Sequence, residues 1–98
     1  MSPVEAKYEQ QFVAHCRSVG VQCLKLRVDG RDGFPDRTLM LPGGEVAFVE
    51  FKRPGCKLRP QQKAWQAGLE KLDFRFTTAF SLEDAINFLD ELLENADD

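Results

Sequence analysis

Apolar side chains near the start of the chain recur every three or four residues, which is the spacing of one face of an α-helix. The stripe consists of Tyr8, Phe12, Cys16 and Val19. It predicts a helix over residues 3–19 that ends at Gly20, because glycine adopts the left-handed conformation of a helix terminus at no steric cost. A looser alternation over Val21–Val28 then predicts a strand, and the glycines and proline of Asp29–Pro35 predict a loop.

Two apolar runs in the middle of the chain are separated by a sequence typical of a hairpin turn. The runs are Asp36–Leu41 and Glu45–Lys52, and Pro42-Gly43-Gly44 lies between them. In the second run the residues on both faces of the predicted strand are apolar. A strand of that kind lies in the centre of a sheet, with other elements covering both faces.

The remainder of the chain predicts a helix, a short strand and a last helix. Pro60 suits the first turn of a helix, because the N–H that proline lacks would have no partner there. The predicted buried face of this helix consists of Ala64, Trp65, Leu69 and Leu72. Phe74–Ala79 predicts a strand, and Ser81 predicts the N-cap of a helix that runs to about Glu94. The predicted order α-β-β-β-α-β-α describes one α/β domain over residues 1–98, in which helices flank a central sheet.

The length of the hairpin turn decides which polar residues face each other across the two strands. With a three-residue loop, Asp36 lies directly opposite Glu50 and their Cβ atoms are ~5 Å apart. Lys52 then projects from the same face as Glu50, because alternate residues of a strand share a face. A two-residue loop would instead set Asp36 opposite Phe51 unless a bulge restored the pairing. The three-residue loop therefore brings two carboxylates and a lysine together at one end of the hairpin.

Two carboxylates that face each other on a central strand destabilise the fold unless a positive charge neutralises them. A divalent cation can do so, since Mg²⁺ is a hard ion that is held by one or two carboxylates together with water and substrate phosphate. The alternative is that the strand simply ends in charged residues where it meets solvent. The spacing alone leaves both interpretations open.

The net charge of −3 is unevenly distributed along the 98 residues. Residues 24–63 contain nine basic and five acidic side chains, whereas the rest of the chain contains four basic and eleven acidic ones. Residues 51–68 alone contain five basic side chains and no acidic one. A basic segment between acidic ends fits a phosphate-binding surface, although a chance cluster of solvated charges would give the same count.

Other features of the composition narrow the class of protein. No apolar run approaches the ~18 residues of a membrane span, and the start of the chain lacks the basic and apolar segments of a signal peptide. We therefore expect a cytoplasmic protein with no membrane partner. Three cysteines without paired spacing and a single histidine predict reduced thiols and no zinc site. We expect no small-molecule cofactor.

The local sequence around the hairpin changes the balance between these interpretations. Gly33-Phe34-Pro35-Asp36 is followed, fourteen positions after the aspartate, by Glu50-Phe51-Lys52, and this pattern resembles the PD-(D/E)xK nuclease signature. The resemblance continues through Val49–Gly55 and then through Leu58, Pro60, Gln62 and Trp65. Within that superfamily the chain looks like a minimal, stand-alone member of the VRR-Nuc family, a form known from phages and bacteria. The resemblance implies a restriction-endonuclease-like core with a mixed central sheet and, for a phage-encoded chain, a location in the bacterial host cytoplasm.

The resemblance also implies roles for individual residues. Asp36 and Glu50 would bind a divalent cation, Mg²⁺ or Mn²⁺, together with the backbone carbonyl of Phe51. Lys52 would orient or activate the attacking water and offset negative charge on the scissile phosphate. Gln62 would lie near the active site. These implied roles make Asp36, Glu50, Lys52 and Gln62 the candidate catalytic residues.

The resemblance also implies an acid on the first helix as a further catalytic residue and metal ligand, and the sequence offers two. Glu5 is in step with Tyr8 and Phe12 and agrees better with the family's spacing, whereas Glu9 lies one turn later and is the alternative. Either could simply be a solvated acid that the helix dipole favours. Trp65 is predicted to belong to the core rather than to stack on a nucleobase. The predicted contacts to DNA phosphates are Arg53, Lys57, Arg59 and Lys63.

The resulting hypothesis is a metal-dependent DNA endonuclease. The resemblance further implies a homodimer that acts on branched DNA, with four-way junctions as the leading candidate. A second hypothesis is a nucleic-acid-binding module without chemistry, or a subunit of a phage replication or packaging complex. A third retains the site and changes the substrate to RNA or to the ends of linear duplexes. The set Asp36, Glu50 and Lys52 favours the enzyme.

Overall fold

The computed structural model describes residues 2–96. Its elements follow the predicted order of helices and strands. They are α1 (Pro3–Ser18), β1 (Gln22–Leu24), β2 (Arg37–Met40), β3 (Val46–Phe51), α2 (Pro60–Lys71), β4 (Arg75–Ala79) and α3 (Leu82–Ala96). A single 3₁₀ turn, Pro42–Gly44, joins β2 to β3. The predicted α/β architecture is therefore confirmed.

The four strands form one mixed sheet in the order β1-β2-β3-β4. β1 to β3 pair antiparallel, whereas β4 runs parallel to β3. A parallel neighbour requires a crossover connection, and α2 provides it. β3 thus has a strand on each side, and Ala47 to Phe51 are all buried in it. This confirms the prediction of a central strand that is covered on both faces.

The β2–β3 hairpin has the register that a three-residue loop gives. Arg37 pairs with Val49, and the N–H of Leu41 donates to the carbonyl of Glu45 at 2.9 Å. The first turn residue, Pro42, is followed by two glycines with positive φ, which only glycine adopts readily. The same register extended by one residue sets Asp36 opposite Glu50. The two-residue alternative is wrong.

The sheet has two unlike faces. Odd-numbered residues of β3 point towards α1 and α3, where Phe12, Phe51 and Leu89 are almost fully buried in one apolar cluster. Even-numbered residues point towards α2, where Phe48 contacts the rings of Phe34 and Phe74 edge to face. We refer to these as the α1/α3 face and the α2 face. The carboxylate of Glu50 lies on the α2 face.

Three details of the sequence prediction are wrong. The first strand ends at Leu24 rather than Val28, because the chain leaves the sheet there and forms the long loop to β2. Val19 and Leu72 are 44% and 70% exposed rather than buried, since each residue follows the last turn of its helix as the C-cap. Ala64 is also exposed, and Trp65 is only half-buried. The buried positions of α2 are Gln62 and Leu69.

Within residues 2–96, no helix combines the length and the apolar character that crossing a membrane requires.

Candidate active site

Two carboxylates meet at the end of the β2–β3 hairpin on the α2 face. Asp36 directly precedes β2, and its backbone N–H donates to Glu50 Oε1 at 3.1 Å. The N–H of Phe51 donates in return to Asp36 Oδ2 at 2.8 Å. Each carboxylate is therefore held by the backbone of the other strand. Asp36 is half-buried and Glu50 is 2% exposed, so both charges lie largely out of water.

Burial raises the pKa of both carboxylic acids. Burial raises the pKa of Glu50 to about 8, and the negative charge of Asp36 adds to this effect while Lys52 opposes it. Burial also raises the pKa of Asp36, although the hydrogen bond from the Phe51 N–H lowers it. Two acids that share a site and resist joint ionisation are a common feature of catalytic and metal-binding centres.

Gln62 links the carboxylate pair to the start of α2. Its side-chain Nε2 donates to Glu50 Oε2 at 2.9 Å, and its Oε1 accepts from the backbone N–H of Arg59 at 2.7 Å. Gln62 occupies the third position of the helix, where such a bond caps the N-terminus. Because the oxygen is already bonded to the backbone, the NH₂ group must face Glu50. The carboxamide is thus a fixed donor.

Gly33 allows the loop before Asp36 to approach α2 closely. Its φ is +91°, and a Cβ atom built there would lie 2.7 Å from the backbone carbon of Gln61 and 2.9 Å from the nitrogen of Gln62. Both the conformation and the contact exclude a side chain. The residue therefore holds Asp36 and Gln62 in one packed unit, which is a physical reason for glycine in the Gly-x-Pro-Asp sequence.

The two candidate acids of α1 occupy different places. Glu5 faces the carboxylate pair's cavity, and its carboxylate accepts bonds from Ser2 and from the backbone N–H of Arg53 at 3.2 Å. Burial raises the pKa of Glu5, but these hydrogen bonds and the charge of Arg53 outweigh it, so the pKa is lowered overall. Glu9 instead forms a buried ion pair with Arg37 at 2.7 Å, and this pair lies on the α1/α3 face. Only Glu5 lines the cavity.

The backbone of Lys52 is fixed from two sides. The hydroxyl of Tyr8 donates to the Lys52 carbonyl at 2.9 Å, and the Lys52 N–H donates to the carbonyl of Ala79 at 2.9 Å. The lysine side chain is half-buried and lines the cavity. The sequence pattern places Tyr8 only in the apolar stripe of the first helix. Its contact with Lys52 spans 44 positions, and no local pattern indicates it.

An open cavity of about 410 Å³ contains these groups. Of the predicted DNA contacts, Arg53 and Arg59 line this cavity. Lys57 and Lys63 instead line a neighbouring groove of about 660 Å³ that runs to Phe80. All four basic side chains are exposed. The complete lining of the site cavity is Ser2, Glu5, Asp36, Glu50, Phe51, Lys52, Arg53, Arg59 and Gln62.

The donor set suits a hard cation with few protein ligands. Asp36 and Glu50 offer oxygens from opposing strands, and burial raises the pKa of both acids, while the charge of Asp36 raises the pKa of Glu50 further. The Phe51 side chain is buried on the opposite face, so only its backbone can line the cavity. Among residues 2–96, no three His, Cys, Asp or Glu side chains come together closely enough to hold a metal ion. Such a pair fits Mg²⁺ or Mn²⁺, which retain several waters, better than zinc.

This chain is similar to a known protein, to a solved structure and to a family model. A curated protein named "Putative nuclease p44", from Acyrthosiphon pisum secondary endosymbiont phage 1, is 41% identical over 58 residues. The match covers 59% of this chain and 62% of that protein, so the chain spans less than two thirds of its relative's length.

A solved structure described as a VRR_NUC domain superposes with a TM-score of 0.83 and 23% identity. It covers 91% of this chain and 97% of that one, which shows a shared fold. The family model described as "VRR-NUC domain" matches residues 5–81, from Glu5 to Ser81, and so includes every residue of the site cavity except Ser2. This chain belongs to the VRR-NUC domain family.

Proposed function

We propose that this chain is a divalent-metal-dependent DNA endonuclease that hydrolyses phosphodiester bonds. The observation that carries the proposal is the pair Asp36 and Glu50, interlocked across the hairpin beside Lys52 in one open cavity. A purely structural role would not leave two weakened acids facing each other at a central strand. The family membership and the phage relative's name support a nuclease in particular.

The metal in this proposal is Mg²⁺ or Mn²⁺. Asp36, Glu50 and the backbone carbonyl of Phe51 would hold it, and Glu5 would contribute from α1 as an additional acid. When bound, the cation supplies positive charge that stabilises the negative charge growing on the phosphate and lowers the pKa of a nearby water. Glu5 already accepts bonds from Ser2 and Arg53, so its contribution is the weaker one.

The chain's own residues perform the remaining tasks. Lys52 would orient the attacking water and offset charge on the scissile phosphate, since its backbone is fixed by Tyr8 and Ala79 while its side chain reaches the cavity. Gln62 would hold Glu50 in place through its fixed NH₂ group. The N-termini of α1 and α2 both lie at the cavity, and their dipoles favour an anion there.

The DNA-contact surface in this proposal is the basic segment that follows β3. Arg53 and Arg59 would bind phosphates beside the scissile one, and Lys57 and Lys63 would bind phosphates further along the strand. All four are exposed, as phosphate-binding side chains must be. Each such contact would contribute about −0.9 to the slope of log affinity against log salt on duplex DNA.

We further propose a homodimer that prefers branched DNA such as a four-way junction. One protomer offers one site, and symmetric cutting of two strands requires two. Apolar side chains next to the edge strand β4 support an interface there, because Leu72, Phe74 and Phe80 are 70%, 37% and 37% exposed. A two-fold dimer should bind a junction at least ~10-fold more tightly than a duplex of equal length, a difference of about 1.4 kcal/mol.

The proposal is tested by a cleavage assay on junction, flap, nicked, single-stranded and duplex DNA, with Mg²⁺, with Mn²⁺ and with chelator. Metal-dependent cutting that vanishes in Lys52→Ala supports the enzyme. DNA binding without cleavage of any substrate would overturn it in favour of a non-catalytic module. Light scattering at micromolar concentration tests the dimer, and a monomer with equal affinity for junction and duplex would remove the branched-DNA part alone.

A further inference from the structure

The loop between β1 and β2 encloses a second cavity beside the carboxylate pair. Residues 25–36 line it consecutively, and its volume is about 360 Å³. We refer to it as the loop cavity. Its volume falls at the lower end of the range for small-ligand sites, which is the scale of a single nucleotide rather than of a duplex. Asp36 lines both the loop cavity and the site cavity, so the two cavities meet at this residue.

One wall of the loop cavity includes a guanidinium group that lies over an aromatic ring. The Cζ atom of Arg31 lies 3.9 Å from the centre of the Trp65 ring. The indole N–H donates to the carbonyl of Asp32 at 3.1 Å, and Phe34 contacts the same ring edge to face. These contacts hold Trp65 beneath Arg31. Arg31 is exposed and lines the cavity, so a ligand can reach its guanidinium.

A nucleobase is the ligand class that such a wall fits. Unpaired bases stack on guanidinium planes as well as on aromatic rings, and every base has a suitable face. Leu26, 42% exposed, and the half-buried Val28 supply apolar lining beside Arg31. A base in this position would exchange water for a cation on one side and hydrocarbon on the other.

The charges of the loop are suited to one phosphate. Lys25, Arg27 and Arg31 are basic, whereas Asp29 and Asp32 are acidic, and all five line the cavity. Asp36 belongs to the carboxylate pair, so the remainder carries one net positive charge. That excess would attract a nucleotide without forming a surface that binds duplex DNA strongly.

We propose that the loop cavity binds one unpaired nucleotide next to the scissile phosphate, with its base stacked on the Arg31 guanidinium and its phosphate near Lys25 and Arg27. The inference rests on the proposed function, because the site cavity must hold the scissile phosphate. It adds a subsite for an unpaired nucleotide, such as the one at a flap or a gap, which a fully paired junction does not supply. A continuous duplex cannot place a base in the loop cavity without extruding it, which costs a few kcal/mol.

The test is a double-mutant cycle in which Arg31 is changed in the protein and one base is removed from the DNA. Binding affinity is measured in chelator so that no strand is cut. The probe is a duplex with a short single-stranded thymine flap, in which the first unpaired nucleotide carries either its base or an abasic sugar. For the wild type we expect removal of the base to weaken binding about tenfold. For Arg31→Ala we expect weaker binding to the intact flap and no further loss on removal of the base. Non-additivity of this kind identifies a direct contact.

Two further variants separate stacking from charge and from general effects. Arg31→Lys should retain the salt dependence but lose the sensitivity to the base, since an ammonium group has no plane to stack on. Arg17→Ala removes an exposed arginine near the far end of α1 and should behave as the wild type.

A wild type that is indifferent to the base, or an Arg31→Ala variant that still loses affinity with the base, would overturn the inference. Cleavage of the same flap with Mg²⁺ or Mn²⁺ is scored separately. A negative result for the loop cavity therefore does not contradict the endonuclease proposal. An absence of cleavage likewise does not affect the interpretation of the binding measurements.

Discussion

The two faces of the sheet differ in what they bury and in what they do. On the α1/α3 face, Phe12 and Leu89 are fully buried in one continuous apolar cluster. On the α2 face, Phe34 and Phe74 from two loops contact Phe48 edge to face, while Glu50 and Gln62 are buried in place of apolar side chains. Apolar burial on the α1/α3 face should therefore supply most of the stability, whereas part of the α2 face is occupied by polar side chains that line the site. Substitutions on the α1/α3 face should affect folding, and substitutions of the polar residues on the α2 face should affect chemistry.

Lys52→Ala should produce the largest effect on chemistry. We expect DNA cleavage to fall at least ~100-fold, because under the proposed function the variant loses the charge that offsets the scissile phosphate. The melting temperature should change by less than ~5 °C, since the lysine is only half-buried and belongs to no apolar cluster.

Lys71→Ala, at the exposed end of α2, is the matched control for cleavage kinetics and thermal unfolding. Wild-type cutting by Lys52→Ala would remove Lys52 from the site.

Leu89→Ala should produce the largest effect on stability. Truncation of this fully buried leucine removes apolar contacts and leaves a cavity on the α1/α3 face, which costs ~2–5 kcal/mol of unfolding free energy. Val19→Ala, at a valine that is 44% exposed, should cost less than ~0.5 kcal/mol. Urea unfolding measures both variants. Similar losses at the two positions would contradict the location of the apolar core.

The metal-free protein should become less stable as pH rises. Burial and the charge of Asp36 raise the pKa of Glu50 to about 8 from an ordinary 4.5. Between these two pKa values the folded state therefore binds more protons than the unfolded state. The stability that protonated Glu50 contributes is fully present below the lower pKa and is lost as the pH rises through the upper one. Each pKa unit corresponds to about 1.4 kcal/mol, and we expect a fall in melting temperature of at least ~5 °C between about pH 5 and pH 9.

Glu50→Gln should flatten this pH dependence, because it removes the group that titrates. Glu70→Gln, at an exposed position of α2, should leave it unchanged. Calorimetry in chelator measures all three proteins across the interval. An unchanged slope in Glu50→Gln would show that another group is responsible.

Asp36→Asn should produce the smallest change in stability and the clearest loss of a metal effect. Without metal, the melting temperature should stay constant or rise by the equivalent of ~1 kcal/mol, because one of two facing carboxylates is removed and Glu50 loses the charge that opposes its ionisation. Added Mg²⁺ or Mn²⁺ should stabilise the wild type and not this variant. Asp90→Asn, an exposed acid on α3, should respond to metal as the wild type does. Equal metal-induced shifts in the wild type and Asp36→Asn would refute a cation shared by the two carboxylates.

Sequence patterns predicted the structural features that depend only on residues close together in the chain. The Pro-Gly-Gly turn set the register of the hairpin, and that register alone brought Asp36 to Glu50. The alternation of β3 also placed Glu50 and its neighbour Phe51 on opposite faces of the sheet. The roles assigned to the site residues were carried by the resemblance and stay predictions.

Sequence patterns could not predict contacts between distant segments. Tyr8 reaches Lys52 across 44 positions, and Glu9 is removed from the cavity by an ion pair with Arg37 that no spacing indicates. The packing of Gly33 on Gln61 likewise depends on where α2 lies after the crossover. The misjudged burial of Leu72 has the same origin, since periodicity locates a helix face but not the residue at which the helix stops.

Trp65 is the only tryptophan in the chain, and its position makes it a local spectroscopic reporter. Its ring is held between Arg31 and Phe34, and its N–H is bonded to the loop at Asp32. Intrinsic fluorescence therefore reports the docking of the loop on α2, whereas far-ultraviolet circular dichroism reports the helices. A fluorescence transition that precedes the circular-dichroism transition would mean that the loop opens before the helices unfold. Since Asp36 ends that loop, such an opening would release one of the two carboxylates while the helices remain intact.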